Sequence, residues 1–306
     1  MFKPDLAKPW TAQRIEAVLP SILPRVQKPS RYIGGERNQV RKEWDGIKTR
    51  VAFAFPDIYD LGMPNTGLAI LYDIINQRDD MLAERAYLPW TDMEAEMRAL
   101  KMPLYSLETK HPLLAFDVIG VSLPYESVYT NLLSMLDLSG IPIFTKDRRR
   151  NDPIIVGGGH ATFNPEPAYA FVDAFVIGEG EEAIVDIAEA VTEWKQGSED
   201  RITLMHRLAQ IDGVYVPSLY ESTYDNGTLV ETAPIDSELA KTFPVPAVVR
   251  KRIVAVMPPP LTRFIVPNLE TVHNRISVEV MRGCTRGCRF CHAGMVTRPV
   301  RQRPVD

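Results

Sequence analysis

Short apolar runs that end in turns and give way to amphipathic helices constrain this chain more than any other feature. Residues 51–55 (VAFAF) stop at Pro56, and a helical pattern over 65–78 follows with Leu68, Leu71, Ile74 and Ile75 on one face. Residues 117–123 (DVIGVSL) precede a helix over 127–139. Residues 153–156 end in Gly157-Gly158-Gly159. Residues 172–177 end in Gly178-Glu179-Gly180, ahead of a helix over 181–195. Strands too apolar to face water, joined through helices, predict a doubly wound α/β sheet covered on both faces. The expected domain covers 46–196 with about five mostly parallel strands, their C-terminal ends on one rim.

The flanks read differently. Within a lead-in over 1–45, Thr11 caps a helix through Leu19, and Pro20 and Pro24 break the pattern. After 196 the alternation stops. Asn226-Gly227 between the strand-like runs 218–224 and 228–232 predicts a hairpin. Residues 234–267 are proline-rich, including Pro258-Pro259-Pro260, so 197–270 reads as a connector, either wrapped on the first domain or a semi-rigid linker. A last strand over 276–281 (ISVEVM) opens the segment 271–306.

A chain of 306 residues suggests about two domains. The formal charge of −4 argues against a general polyanion binder. No apolar run has membrane-spanning length, and Lys3, Asp5, Lys8, Arg14 and Glu16 interrupt any signal peptide. The expected compartment is the cytoplasm, where thiols stay reduced. All three cysteines fall within 284–291, and three thiols cannot pair among themselves. That points to a metal or cluster site.

Three thiolates suit three irons of a cubane cluster and leave the fourth iron open to a small molecule. The run Arg282-Gly283-Cys284-Thr285-Arg286-Gly287-Cys288-Arg289-Phe290-Cys291-His292 resembles the radical-SAM superfamily, which places an aromatic residue, here Phe290, before the third cysteine. The resemblance implies a 4Fe–4S cluster on Cys284, Cys288 and Cys291, with S-adenosylmethionine chelating the open iron through its amino and carboxylate groups. It also implies a donor such as a flavodoxin or ferredoxin, and cleavage to a 5′-deoxyadenosyl radical. The motif would follow the first strand of a TIM-like barrel, the role given to 276–281. Fifteen residues follow Cys291, so the expected barrel is truncated and the chain inactive alone. The superfamily's glycine-glycine-glutamate motif is expected beyond Asp306, and Gly34-Gly35-Glu36 reads as a turn. One other reading stands beside this one, a zinc site with His292 as fourth ligand. A ferredoxin-type run is excluded, since it needs two residues in each gap and a distant fourth cysteine, a pattern this chain lacks.

Residues Asp57-Ile58-Tyr59-Asp60-Leu61-Gly62 resemble the D-x-H-x-x-G loop of cobalamin-binding domains, with Tyr59 in the histidine position. Ser122-Leu123 resembles that fold's S-x-L loop with the spacer missing, and Gly157-Gly158-Gly159 its glycine loop. The resemblance implies a flavodoxin-like Rossmann domain whose cobalamin contacts are Asp57, Tyr59, Gly62, Ser122, Leu123, Gly157, Gly158 and Gly159. A phenol with a pKa near 10 is a poor cobalt ligand, so Tyr59 is expected to leave the corrin's lower face unligated. The simpler readings are turn glycines and a helix-capping Ser122.

Together with RYIGGE (31–36), YSLET (105–109), GVSLPYE (120–126), GGGHATFNPEP (157–167) and GEGEE (178–182), these loops resemble an uncharacterised bacterial family over nearly the whole chain. It fuses a cobalamin-binding-like domain to a radical-SAM barrel. The implied activity is radical methyl transfer or rearrangement on an unnamed substrate. The alternatives are an RNA-modifying radical-SAM enzyme with a corrin-free domain, and a non-enzymatic corrin-binding module. Seven arginines from Arg275 to Arg303 read as cluster-charge compensation or barrel surface in preference to an RNA-facing patch. Glu179 and Glu181 flank Gly180 at a strand end, placed for contact with a corrin side chain or ribose, and Glu181 equally for stabilising the N-terminus of the next helix. His160 sits in a loop that can approach the ligand pocket, and reads as solvent-exposed in preference to a metal ligand.

Overall fold

The computed structural model describes residues 8–304, so the first seven residues of the lead-in and the last two of the chain lie outside the described residues. Its centre is a six-stranded sheet of β1 (Thr49–Phe55), β2 (Met81–Tyr87), β3 (Val118–Ser122), β4 (Ile154–Gly158), β5 (Ala174–Val176) and β6 (Val214–Tyr215). The spatial order is β2-β1-β3-β4-β5-β6. The first five strands are parallel, and β6 runs antiparallel to β5. This is the flavodoxin-like order, with its switch point between β1 and β3. The sheet extends past the expected boundary at 196, because β6 comes from the connector.

Pleating sorts the strand residues between two cores. Val51, Phe53 and Phe55 face α3 (Thr66–Asn76), α6 (Gly180–Gln196) and α7 (Arg201–Leu208). Ala52 and Ala54 face α1 (Ala12–Ile22), α4 (Thr91–Leu100) and α5 (Tyr129–Ser139). Thr11 caps α1 as expected, but the helix continues through Pro20 to Ile22. Pro20 is exposed, so its ring is accommodated on the solvent side while Ile15, Val18, Leu19 and Ile22 stay buried.

The sequence reading places no strand at β2. Glu84 and Arg85 interrupt its apolar run, yet both are buried. Arg85 meets Glu108 Oε1 at 2.6 Å and Glu36 Oε2 at 3.1 Å. Glu84 accepts from the Thr109 hydroxyl at 2.7 Å and from its N–H at 3.3 Å. Burial, then the neighbouring Glu108 charge, push the Glu84 carboxyl up to about 7. A raised acid pKa favours the fold below the unfolded value and disfavours it as pH rises through 7. Stability should therefore fall between about pH 5 and 8, by an amount on the order of 3 kcal/mol for this group. Glu84→Gln should flatten that part of the profile, which urea unfolding across the range would measure. An unchanged slope would reject the assignment.

Beyond the sheet, β7 (Tyr220–Asp225) and β8 (Thr228–Pro234) form the expected hairpin around Asn226-Gly227, and α8 (Glu238–Thr242) follows. The proline-rich connector wraps the first domain. Val266 N–H donates to Arg37 O at 3.0 Å, Asn268 to Gly34 O at 2.9 Å and Val272 N–H to Asp60 O at 3.2 Å. The expected strand 276–281 is not formed. Only Met281–Arg282 (β9) pairs, antiparallel, with Arg301–Gln302 (β10), and the short helix α9 (Ala293–Val296) lies between them. Ile276, Val278 and Val280 alternate as a strand would, but all three are exposed.

Candidate functional site

The C-terminal ends of β1, β3, β4 and β5 meet at one rim, where an open parallel sheet offers a crevice. A cavity of about 530 Å³ lies there. Phe53, Gly120, Val156 and Val176 form its floor, so it reaches below the rim along the sheet face. Asn65 to Leu68, at the start of α3, form one wall, and Gly180 and Glu181, at the start of α6, form the other. The roof comes from far along the chain: Lys251, Glu279, Met281, Arg282, Gly283, Val296 and Thr297.

The structure separates the sequence-predicted corrin contacts. Ser122, Gly158 and Gly159 line the cavity. Gly159 has φ +115°, and a Cβ there would fall 2.6 Å from Leu123 O, so only glycine permits this crossing. Leu123 and Gly157 sit one layer behind. Leu123 N–H donates to Gly158 O at 2.6 Å, and a Cβ on Gly157 would meet the Phe175 ring at 2.9 Å. Asp57 lies on the rim beside Tyr125; burial first, and then the Asp57 charge, push the Tyr125 phenol up.

Tyr59 and Gly62 are not at the cavity. They belong to a four-residue helix, α2 (Tyr59–Gly62), packed into the core. The Tyr59 hydroxyl donates to Glu36 Oε1 at 3.1 Å, its ring lies 5.2 Å from that of Tyr87, and burial holds its pKa above the ordinary phenol range. Gly62 makes room for the Phe55 and Tyr87 rings. The match to the D-x-H-x-x-G letters thus corresponds here to core packing at positions 59 and 62. Sequence reasoning missed the start of α3 and the whole roof. The Asn65 side chain, which accepts from Leu68 N–H at 2.9 Å, is the capping signal that marked the first of these. His160, read as a loop residue able to approach a pocket and not as a metal ligand, is exposed and lines the cavity.

The cysteine loop adjoins the roof. Arg282 and Gly283, immediately before Cys284, line the cavity, and the His292 ring lies edge-on to that of Phe163, 6.2 Å away. Cys284 Sγ accepts from Arg286 N–H at 3.4 Å, and Cys291 Sγ from Gly294 N–H at 3.3 Å. Gly294 also leaves space beside Cys291, since a Cβ there would sit 3.4 Å from the sulfur. Cys288 is exposed. Among the described residues, no three His, Cys, Asp or Glu side chains are already gathered as a metal site.

The loop is held by charge. Arg282 pairs with Glu279 at 2.7 Å and with Glu181, Arg301 pairs with Glu179 at 2.5 Å, and Arg303 pairs with Glu279 at 3.1 Å. Three of the seven C-terminal arginines therefore pair with carboxylates of the same chain. Lys251 Nζ adds a bond to Val296 O at 2.9 Å.

Residues 67–217 match the family model of the N-terminal region of radical SAM proteins. The match spans α3 to β6 and so covers most of the sheet and the start of one cavity wall. An uncharacterized protein of Methanocaldococcus jannaschii is 25% identical over 225 residues, covering 69% of this chain and 38% of that protein. The radical S-adenosylmethionine methyltransferase TsrM from Kitasatospora setae, solved with cobalamin and a 4Fe–4S cluster bound, superposes with a TM-score of 0.46 at 17% identity. That superposition covers 84% of this chain and 43% of the other. The chain thus spans less than half the length of both proteins. Among the described residues, no helix is long and apolar enough to cross a membrane.

Proposed function

We propose that this chain is the N-terminal portion of a radical-SAM enzyme, with Cys284, Cys288 and Cys291 holding a 4Fe–4S cluster and the rim cavity holding a cobalamin. One observation carries the reading. Arg282 and Gly283, which lead into Cys284, close the same cavity that Ser122, Gly158 and Gly159 open. A cofactor in the cavity and a cluster in the loop would therefore be neighbours. The match of 67–217 to radical SAM N-terminal regions supports the same reading.

The donor set suits the cluster chemically. Three thiols fall within 284–291, and two of them already accept backbone N–H groups. Loading would draw the exposed Cys288 toward the other two, a coupling of binding to local order that metal sites commonly show. When bound, the cluster and S-adenosylmethionine supply radical chemistry, and cobalamin supplies a methyl carrier. This chain's residues bind and orient. The floor of Phe53, Val156 and Val176 buries an apolar surface, Gly120 and Gly158 admit a close approach, and the arginine ties hold the roof in place.

Anaerobic reconstitution with iron and sulfide should give a chain holding both in equal amounts, with broad visible charge-transfer absorption. Added hydroxocobalamin should co-elute with it on gel filtration. Zinc in place of iron would remove the cluster assignment, and free cobalamin in the eluate would remove the corrin.

A further inference from the structure

Glu179 makes more contacts than a cavity rim requires. Its Oε2 accepts from Arg301 Nη1 at 2.6 Å and from Val254 N–H at 2.6 Å. Its Oε1 accepts from Arg301 Nη2 at 2.5 Å, with Arg282 Nη1 3.6 Å away. Arg282 and Arg301 face each other across β9 and β10, the short stem that closes the cysteine loop. One carboxylate therefore reaches both strands of that stem and the connector as well. The backbone beside it is committed too. Arg252 N–H donates to Ile177 O at 2.8 Å, Glu179 N–H donates to Arg252 O at 3.1 Å, and Gly178, at φ +115°, leaves no room for a Cβ against Arg252 O.

A stem of two residues per strand is marginal by itself, so its placement depends on what grips it. A carboxylate offers about four acceptor positions, and three are occupied at hydrogen-bond distance, which leaves Glu179 little capacity for a ligand. Burial opposes its ionisation. The Arg301 hydrogen bonds, the Val254 N–H and the Arg282 charge outweigh that and hold the carboxyl below its usual range.

We infer that Glu179 is the positioning residue that fixes the cysteine loop over the cavity by gripping both strands of its stem. The inference rests on the proposed function only for what the loop carries.

Hydrogen exchange on the whole chain, without iron or cobalamin, tests it. Glu179→Gln keeps the shape and removes the charge. Exchange across 279–304 should accelerate about tenfold or more, while 117–123 and 154–158 keep their protection. Arg301→Gln, which also removes the Arg301 Nη1 bond to Val254 O at 2.6 Å, should do at least as much, and the double variant should lose less than the sum of the two, because both changes break the Glu179–Arg301 pair. Unchanged exchange in both single variants overturns the inference. So does a pattern of unchanged exchange with cobalamin affinity lost, which would make Glu179 a ligand contact. If Glu179→Gln loosens the sheet as well, Arg301→Gln decides, since its side chain lies outside the sheet. Failure of the chain to bind iron would count against the proposed function and leave the exchange result standing.

Discussion

Replacing any one of Cys284, Cys288 or Cys291 with alanine is expected to abolish the cluster and, in protein carrying a complete barrel, to reduce S-adenosylmethionine cleavage to background. The loss should not be graded. Each thiolate holds one iron, and removing one leaves a second iron without a protein ligand. The three variants should still fold, because none of the three cysteines is fully buried and the sheet forms without them. Circular dichroism should match the unaltered chain while visible absorption after reconstitution disappears. His292→Ala is the companion measurement. A zinc site would need His292 as fourth ligand, so its loss would then empty the site, whereas a cluster on three cysteines keeps its iron. Undiminished cleavage in any cysteine variant would falsify the assignment.

The three cysteines were legible as a closely spaced set, and the structure places the loop that carries them beside the cavity roof. The sheet was legible where strands are apolar throughout, as in β1, β3, β4 and β5. It failed at β2, where buried charges are matched by residues 23 to 49 positions away, Glu108 and Glu36, and no local pattern reveals such partners. It failed in the other direction at 276–280. There the alternation of Ile276, Val278 and Val280 is genuine, but no neighbouring strand among the described residues completes the pairing. The rim loops were half legible. Ser122, Gly158 and Gly159 are where a strand-end reading places them, while Tyr59 and Gly62 fit a letter pattern and serve packing. The roof was illegible because it rests on arginine–glutamate pairs between residues as much as 122 positions apart, which look in sequence like ordinary surface charge.

The buried charges at β2 lead to the second large expectation. Arg85→Met should destabilise the chain by about 3–5 kcal/mol, the usual cost of removing one partner from a buried ion pair. Arg85 is 2% exposed, and its guanidinium faces Glu108 and Glu36, which are 0% and 4% exposed. Methionine fills similar space but leaves two carboxylates in the interior, close to Glu84. Lys110, whose Nζ donates to Ile33 O at 2.8 Å, is a buried cation nearby, and burial already lowers its pKa to about 8. Combining Arg85→Met with Glu36→Gln and Glu108→Gln should restore most of the stability. The charges are then gone, and an amide oxygen at 108 can still accept from the backbone N–H at 85, a bond of 2.8 Å in the present structure. Urea unfolding of the three proteins measures each effect. A single variant that loses less than about 1 kcal/mol would mean that water reaches these carboxylates, and that the edge of the sheet is open where the structure closes it.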